Sequence, residues 1–280
     1  MRAGNRCFHN THCPLGCGAP EIPPELDSAD RIYGGQVAVP GSWPWQAGIY
    51  THRFDHFCGG ALIDDRHVLT AAHCVGEKKS KTLRVHLGSY ARLATDDTEV
   101  VYKVKEVCSH PGYKYGAKRS PANDIAIIKL QESVNYTSTI SPVCLPRKQE
   151  KLPAGSKLYV TGWGATAADT ESEKSPELMQ GLTEVVPCVR GGSYPGALCG
   201  SRAYASSGLG DSGGPVVHRR NDIWTIFGIV IGVPKTAARA SPSTMFFADV
   251  AHYMEKFILP YTNPKTPIKE IGKLCKAILI

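Results

Sequence analysis

The sequence predicts an all-β fold, either a sandwich or a pair of barrels. Many short stretches of Val, Ile and Leu alternate with turn signals, and the 280 residues include 28 Gly and 20 Pro. The chain is long enough for one large core or two smaller ones. Hydrophobic residues make up 42 % of the chain, yet no run approaches the roughly 18 apolar residues that a membrane span needs. We therefore expect no membrane span.

The chain is basic, with a formal net charge of +7, but its basic residues are scattered. The C-terminal tail, for example, carries Lys265, Lys269, Lys273 and Lys276. No stripe of alternating basic and aromatic residues accompanies them, so the sequence does not favour nucleic-acid binding. A solvated basic surface is the simplest interpretation, and weak affinity for an acidic polysaccharide or an anionic surface is the alternative.

The cysteine content indicates an oxidising compartment. Ten cysteines are an even number, and this number is high for a cytosolic protein, so we expect a disulfide framework. The sequon Asn135-Tyr136-Thr137 agrees with a secreted route and makes Asn135 a candidate glycosylation site. The start, MRAGNRCFHN, lacks the apolar segment of a signal peptide. We expect a secreted protein whose export signal is not evident in this chain.

Three stretches carry residues suited to nucleophilic catalysis. They are VLTAAHCV at 68–75, NDIAIIKL at 123–130 and GLGDSGGPVV at 208–217. A serine hydroxyl such as that of Ser212 is a weak nucleophile near neutral pH and needs a base, a role that suits His73. A carboxylate such as Asp124 can then orient the imidazole and stabilise its charged form. Each residue alone has an ordinary structural interpretation, but together they predict a catalytic triad.

These stretches occur together with RIYGG, GSWPWQAGI, FCGGALI, SPVCLP and VTGWG. As a set they resemble the chymotrypsin-like, trypsin-fold serine proteases, over residues 32 to about 258. The resemblance implies two six-stranded antiparallel β-barrels with a catalytic cleft between them, followed by a C-terminal helix. It also implies an endopeptidase that hydrolyses peptide bonds through an acyl-enzyme, and we expect no cofactor and no bound metal.

The resemblance assigns further roles around the serine. The backbone N–H groups of Gly210 and Ser212 would form the oxyanion hole. Cleavage of the Arg31–Ile32 bond would free an ammonium group on Ile32 that pairs with Asp211, since a buried carboxylate needs such a partner. The chain would therefore be a zymogen that an external trypsin-like protease activates.

The same resemblance divides the chain into three parts. Residues 1–31 would be a propeptide or light chain with little core material, 32–258 the protease domain, and 259–280 a tail without counterpart in the family's short forms. The first barrel would occupy 32 to roughly 146 and the second 155–248.

Two short helices are expected within the protease domain. TAAHC should form a helical turn that presents His73. A second helix fits DVAHYMEKFI, because Val250, Tyr253, Met254, Phe257 and Ile258 follow helical spacing and Asp249 can cap its start.

By family position the cysteines would pair as Cys58–Cys74, Cys188–Cys199 and Cys17–Cys144. The last bridge would keep the N-terminal piece attached after cleavage. Four cysteines remain, and we expect Cys7–Cys13 as a local pair and Cys108–Cys275 as a bridge from the tail to the first barrel. Sequence alone does not determine such connectivity, so these last two pairings stay open.

The sequence contains two candidate metal sites. CFHNTHCPLGC offers zinc the ligands Cys7, His9, His12, Cys13 and Cys17, but their irregular spacing and an oxidising compartment disfavour that alternative. The family's calcium loop would lie between Gly88 and Val100. Asp96, Asp97 and Glu99 lie there, but Ser89 and Tyr90 follow Gly88 where calcium binders carry a carboxylate. We therefore expect no tight calcium site.

Specificity is predicted from the residues that would line the S1 pocket. Ser206, six positions before Ser212, would lie at its base and carries no charge, which disfavours Lys and Arg side chains. Val233 and either Thr244 or Met245 stand where open pockets have glycine, so the pocket would be narrow. We expect small or medium apolar P1 residues, and we do not expect the enzyme to activate itself at Arg31.

Several positions depart from the family pattern. Leu158 and His218 replace a common disulfide pair, and Gly208 replaces a cysteine beside the pocket. Ile231-Gly232-Val233 stands in place of Ser-Trp-Gly, so Ile231 cannot donate the usual hydrogen bond to the triad aspartate. The alternative is therefore a weakly active or inactive homologue that acts as a binding protein. The intact triad favours an enzyme, whose partners would be protein or peptide substrates, an activating trypsin-like protease and protease inhibitors.

Overall fold

The structure is a computed structural model of the 280-residue chain. It describes residues 16–26, 35–76, 78–115, 121–164, 174–188, 194–201, 212–232, 244–276 and 278–279. Several residues singled out in the sequence lie outside these ranges: Cys7, Cys13, Arg31, Ile32, Ser206, Gly210, Asp211 and Val233. Within the described ranges, every helix is too short or too polar to cross a membrane.

The first sheet closes into a six-stranded antiparallel barrel. Its strands are β2 (Gln46–Thr51), β3 (His56–Leu62), β4 (His67–Thr70), β5 (Leu83–Leu87), β6 (Val100–Ser109) and β7 (Ala126–Leu130). The order is β6-β5-β2-β3-β4-β7, and pairing of β6 with β7 closes the barrel. In β6, Tyr102 and Val104 are buried whereas Lys103 and Lys105 are exposed, which is the alternation of a strand with one face in a core.

The second sheet is a half-barrel of seven antiparallel strands. Its strands are β1 (Gln36–Val37), β8 (Lys157–Gly162), β9 (Met179–Glu184), β10 (Ala197–Ser201), β11 (Pro215–Arg220), β12 (Ile223–Val230) and β13 (Thr244–Asp249). The order is β1-β9-β8-β11-β12-β13-β10, and a bridge between Val185 and Gly200 brings its two ends together. The predicted all-β fold with two antiparallel barrel units is confirmed.

One boundary of the first barrel was predicted incorrectly. Residues from 32 onward were assigned to it, but Gln36 in β1 pairs with Gln180 in β9 of the second sheet. The Gln180 side chain also contacts the chain before and after β1, and its Oε1 accepts a hydrogen bond from Trp43 Nε1 at 2.8 Å. Its Nε2 donates to the carbonyl oxygen of Glu25 at 2.6 Å. The chain therefore begins on the second sheet before it enters the first barrel.

The larger of two hydrophobic core clusters joins the two sheets, and the smaller one lies within the second sheet. Trp43, Trp45 and Trp224 are each at most 2 % exposed and meet edge to face or at a tilt. The centroids of Trp43 and Trp224 are 4.8 Å apart, within the range of favourable aromatic pairs. Because Trp43 precedes β2 and Trp224 lies in β12, this contact fixes the two sheets against each other.

The described part of the N-terminal piece is held against the core. Cys17 is 8 % exposed and forms a disulfide with Cys144. Gly18 donates its N–H to the carbonyl of Pro142 at 2.9 Å and accepts one from Trp224 N at 2.8 Å. Residues 1–31 were expected to supply little core material, yet Leu26 also packs against the core. The piece is therefore anchored by a covalent bond and by backbone pairing.

Four disulfides form among the described cysteines. They are Cys17–Cys144, Cys58–Cys74, Cys108–Cys275 and Cys188–Cys199. Three of them are the pairings that the family resemblance implies, and the fourth is one of the two that the sequence left open. The other open pairing, Cys7–Cys13, falls outside the described residues.

The predicted C-terminal helix is present and longer than expected. It consists of α2 (Val250–Tyr253), a π-helical turn (Met254–Ile258) and α3 (Leu259–Thr262). The Asp249 side chain caps α2 by accepting a hydrogen bond from His252 N. The helix continues past residue 258 because Tyr261 is also buried, and its hydroxyl donates to Glu106 Oε1 at 2.9 Å.

The tail folds back onto the first barrel. A short helix, α4 (Ile268–Leu274), is followed by Cys275 and by β14 (Ile278–Leu279). Strand β14 pairs with the last part of β6, where Ile278 lies opposite Cys108. The first barrel thus gains a seventh strand from the C-terminal end of the chain.

Candidate active site

Helix α1 (Ala72–Val75) presents His73 at the end of β4. Ala71 and Ala72 are fully buried, and their small side chains let this short helix lie on the barrel. The disulfide between Cys74 and Cys58 ties the helix to β3. Gly76 ends the helix and donates its N–H to the carbonyl of Ala72 at 2.8 Å. TAAHC therefore forms the helical turn that the sequence predicts.

Asp124 holds His73 at two points. Its Oδ2 lies 2.8 Å from His73 Nδ1, and its Oδ1 accepts the backbone N–H of His73 at 2.8 Å. Asp124 is fully buried whereas the His73 side chain remains 16 % exposed. A carboxylate at Nδ1 favours the tautomer that carries its proton there. Nε2 is then left unprotonated and able to accept a proton.

Ser212 is fixed by its backbone where the two sheets meet. Its carbonyl accepts a hydrogen bond from Gly59 N in β3 at 2.9 Å, and Gly213 N donates to Val230 O in β12 at 2.7 Å. A Cβ atom on Gly59 would lie 3.0 Å from Gly214 Cα, so this approach requires a glycine. The glycines around Ser212 and in FCGG therefore allow two backbones to come into close contact.

Cys74 lies between the histidine and the serine. Its Sγ is 3.6 Å from His73 Nε2 and 3.6 Å from the carbonyl oxygen of Ser212. Among the residues that the structure describes, no hydrogen bond joins Ser212 Oγ to His73. The structure thus brings His73 and Asp124 into direct contact, and Cys74 Sγ lies near both the His73 ring and the Ser212 carbonyl.

Comparisons with known proteins identify the family of the chain. The family model for trypsin matches residues 32–257. The chain belongs to the trypsin family. It is 36 % identical to chymotrypsin-C of Mus musculus over 87 % of this chain and 92 % of that protein.

Two other relatives are similar to this trypsin-family member. Ovochymase of Halocynthia roretzi is 37 % identical over 76 % of this chain, which spans only 14 % of that protein's length. The CLIP domain-containing serine protease B4 of Anopheles gambiae is 32 % identical over 81 % of this chain and 69 % of that protein. The chain is a chymotrypsin-like serine endopeptidase, and its substrates are proteins.

Two tyrosines of this trypsin-family member lie close enough to Asp124 to sense its charge. Burial, together with the charges of Tyr253 and Asp124, raises the pKa of Tyr194 well above its usual value. Burial likewise raises the pKa of Tyr253 to about 12. A hydrogen bond from Asn123 N to its hydroxyl lowers the pKa and so partly offsets this rise. Both hydroxyls therefore stay neutral beside the carboxylate at physiological pH. Helical spacing predicts Tyr253 on the apolar face of a helix, and no sequence signal showed its position near Asp124.

Ile231 follows strand β12. Ile231 is 3 % exposed, and its backbone N–H donates to Phe246 O at 3.4 Å. An isoleucine side chain has no donor for the Asp124 carboxylate. The backbone N–H and the ring of His73 supply two hydrogen bonds to that carboxylate in this chain.

Potential metal ligands of this trypsin-family member are engaged by the protein itself. Ligand atoms of Cys58, His73 and Cys74 lie within 4.8 Å of one another, but both sulfurs belong to a disulfide. In the loop where family members bind calcium, Asp96 Oδ2 accepts two backbone N–H groups at 2.6 and 2.8 Å. Glu99 Oε2 accepts the Ser89 hydroxyl at 2.6 Å. Protein donors therefore occupy carboxylate oxygens that a cation would need.

Proposed function

We propose that Ser212, His73 and Asp124 form the catalytic triad of this endopeptidase. Ser212 Oγ attacks the peptide carbonyl carbon, and its proton passes to His73 Nε2 and then to the leaving amine. Water then hydrolyses the acyl ester with His73 again as the base. The observation that carries this proposal is the buried Asp124 carboxylate, which holds both the backbone N–H and the ring of His73 at 2.8 Å.

We propose that the N–H groups of Gly210 and Ser212 stabilise the oxyanion. Gly210 lies outside the described residues, but the backbone that follows it is held at two points, by Gly59 at Ser212 and by Val230 at Gly213. Donors fixed in this way cost no reorganisation during the reaction, and removing one such donor typically costs about 3 kcal/mol. The positive φ of Gly213, 84°, supports a tight turn of the backbone directly after Ser212.

The triad proposal is tested by labelling with a fluorophosphonate after cleavage at Arg31. We expect Ser212→Ala to abolish both labelling and peptide hydrolysis. Ser156→Ala, directly before β8, is the matched control and should keep both labelling and hydrolysis. Near-normal hydrolysis by Ser212→Ala would contradict the assignment, and an unlabelled Ser212 in cut, folded protein would favour the binding-protein alternative.

We propose that the chain is a zymogen cleaved between Arg31 and Ile32 by an external trypsin-like protease. The new ammonium of Ile32 would pair with Asp211 and order the oxyanion hole. Support comes from the Cys17–Cys144 disulfide and from the backbone pairing of Gly18, which would keep the N-terminal piece attached after the cut. Activation should therefore leave two chains that separate only under reducing conditions.

The activation proposal predicts that Arg31→Gln stays uncut and inactive. Arg53→Gln, at an exposed turn, is the matched control and should activate normally. N-terminal sequencing should show a new terminus at Ile32 in parallel with the gain of activity. Full activity of an uncut Arg31→Gln chain would contradict the proposal.

We propose that the protein is secreted and glycosylated at Asn135. Four disulfides agree with an oxidising compartment, and Asn135, Tyr136 and Thr137 are all exposed. Expression in secretory cells behind an added signal peptide should give folded protein in the medium whose electrophoretic mobility increases after glycosidase treatment. Asn135→Gln should remove that shift, and an unchanged shift would contradict the site.

We propose a preference for small or medium apolar P1 residues, set by Ser206, Val233 and Met245. Met245 in β13 is 1 % exposed and packs in an apolar cluster with Val216 and Val230. A long apolar side chain at this position reduces the space for a P1 side chain and provides no charge for Lys or Arg. Peptides that differ only at P1, with Ala, Val, Leu, Phe or Arg, decide the preference. A higher kcat/KM for Arg than for every apolar residue would overturn it.

The proposed partners follow from the same cleft. Protein substrates would enter it in extended form, and protease inhibitors would occupy it without being released. An activating trypsin-like protease would approach the Arg31–Ile32 bond. A matched inhibitor pair that differs only in its P1 residue should show the same preference as the substrates.

A further inference from the structure

The C-terminal end of the chain is attached to the loop that leads to the active site. We call Cys275, Lys276 and β14 the tail clasp. Cys275 forms a disulfide with Cys108 near the end of β6, and Lys276 N donates to Ser109 O at 2.9 Å. Strand β14 continues this pairing along β6. The backbone of the tail clasp is therefore fixed where β6 ends and loop 110–115 begins.

The Lys276 side chain contacts two tyrosines of this loop. Its Nζ donates to Tyr113 O at 2.6 Å and lies 4.4 Å from the centre of the Tyr115 ring. The two tyrosine rings meet edge to face with their centroids 4.6 Å apart. A charge-assisted hydrogen bond and a cation–π contact from one ammonium hold the loop in a single arrangement.

Tyr115 in turn packs against the helix that carries His73. A Cβ atom on Gly76 would overlap the Tyr115 hydroxyl and ring, so the ring lies directly against the end of α1. His73 is three residues before Gly76. The other side of the same loop contacts the segment of the triad aspartate, because Asn123 Nδ2 donates to Gly112 O at 3.4 Å.

We propose that Lys276 is a positioning residue for His73. The inference rests on the proposed triad and adds a residue to it that the family resemblance did not assign. By holding Tyr115 against Gly76, Lys276 limits movement of α1 and keeps the His73 ring within hydrogen-bond distance of Asp124. Lys276 does not touch the reacting atoms, and its effect passes through the contacts between Tyr115 and Gly76.

The test compares Lys276→Met, which keeps the length of the side chain, with the conservative Lys276→Arg. Lys273→Met removes an exposed lysine from α4 and is the matched control. In the activated enzyme, we expect Lys276→Met to lower kcat about threefold to tenfold with little change in KM. Lys276→Arg should restore most of the loss, and Lys273→Met should match the wild type.

A second measurement does not depend on activity. The downfield NMR signal of the His73 Nδ1 proton, bound to Asp124, reports how often that hydrogen bond opens. We expect faster exchange of this proton with water in Lys276→Met than in either other variant. Unfolding by urea is measured alongside, because a merely structural role would change the free energy of unfolding and leave proton exchange and kcat unchanged.

Each outcome decides the inference. Unchanged proton exchange in Lys276→Met, or unchanged kcat in an active enzyme, overturns it whatever the effect on stability. If the wild-type protein shows no hydrolysis that depends on Ser212, the proposed function fails. Proton exchange then still decides whether Lys276 positions His73, so the two failures are distinguishable.

Discussion

His56 should make the protein less stable as the pH falls. It lies in β3, is 8 % exposed, and its ring packs against Tyr50 and Trp163. Neither ring nitrogen has a hydrogen-bond partner within the described part of the chain. Burial is the main cause that lowers its pKa to about 3, and nearby positive charges, first that of Lys174, lower it further. The folded protein therefore holds this ring neutral.

The sign and size of the effect follow from this pKa. The unfolded chain binds a proton on His56 below about pH 6.5, whereas the folded chain binds it only near pH 3. Between these values the unfolded state holds more protons, so the free energy of unfolding decreases as the pH falls. Each pH unit costs about 1.4 kcal/mol, which gives about 2 kcal/mol at pH 5. Above pH 6.5 the penalty is absent.

The assay is urea unfolding of the uncut chain at about pH 7.5 and about pH 5. A Ser212→Ala background prevents self-digestion. Between the two pH values, the free energy of unfolding should fall by about 2 kcal/mol less in His56→Gln than in the parent. Comparing the pH dependence removes any constant cost of burying an amide.

The matched control is His52→Gln, since His52 is exposed and its ring remains in water when the chain folds. This variant should retain the full acid sensitivity of the parent. Equal loss of stability in His56→Gln and in the parent would refute the reasoning, because it would show that His56 does not exclude a proton when the chain folds.

Three further substitutions have expected outcomes in urea unfolding at neutral pH. Asp249→Ala removes the cap of α2 and should cost about 1 kcal/mol; no loss would mean that the cap is not formed in solution. Gly76→Ala should destabilise the protein by roughly 1–3 kcal/mol because its Cβ displaces the Tyr115 ring, whereas stabilisation, as expected for an open helix end, would contradict that contact. Trp43→Phe leaves the buried Gln180 amide oxygen without its donor and should cost about 1–3 kcal/mol; a change within experimental error would show that water replaces the indole.

Two features were predictable because each depends on residues that are close together in the sequence. The short helix around His73 and the cap at Asp249 are specified by a few neighbouring residues, and both are present. The contact between Gly59 N and Ser212 O was not predicted, since it joins residues far apart in the chain. The adjacent glycines of FCGG were the one available signal, because a glycine in a strand often marks a close approach of another backbone.

Long-range pairing was the main source of error. Strand β1 is only two residues long, so its local pattern does not specify a partner, and backbone pairing with β9 of the second sheet holds it in place. Not every long-range pairing was missed: the expected bridge between Cys108 and Cys275, which are 167 residues apart, is present, although no local rule specifies it. The continuation of the helix past residue 258 depends on the contact between Tyr261 and Glu106, which again joins distant segments.

Strand β14 has a practical consequence for producing the protein. It covers the part of β6 around Val107 and Cys108, whose other edge pairs with β7. A chain shortened to end at residue 258 would leave backbone N–H and C=O groups of β6 open to another molecule, which favours edge-to-edge aggregation. It would also leave the Cys108 thiol free to form bridges between chains during oxidative folding. Expression of the chain with residues 259–280 should therefore give more monomeric protein than expression of the shortened chain.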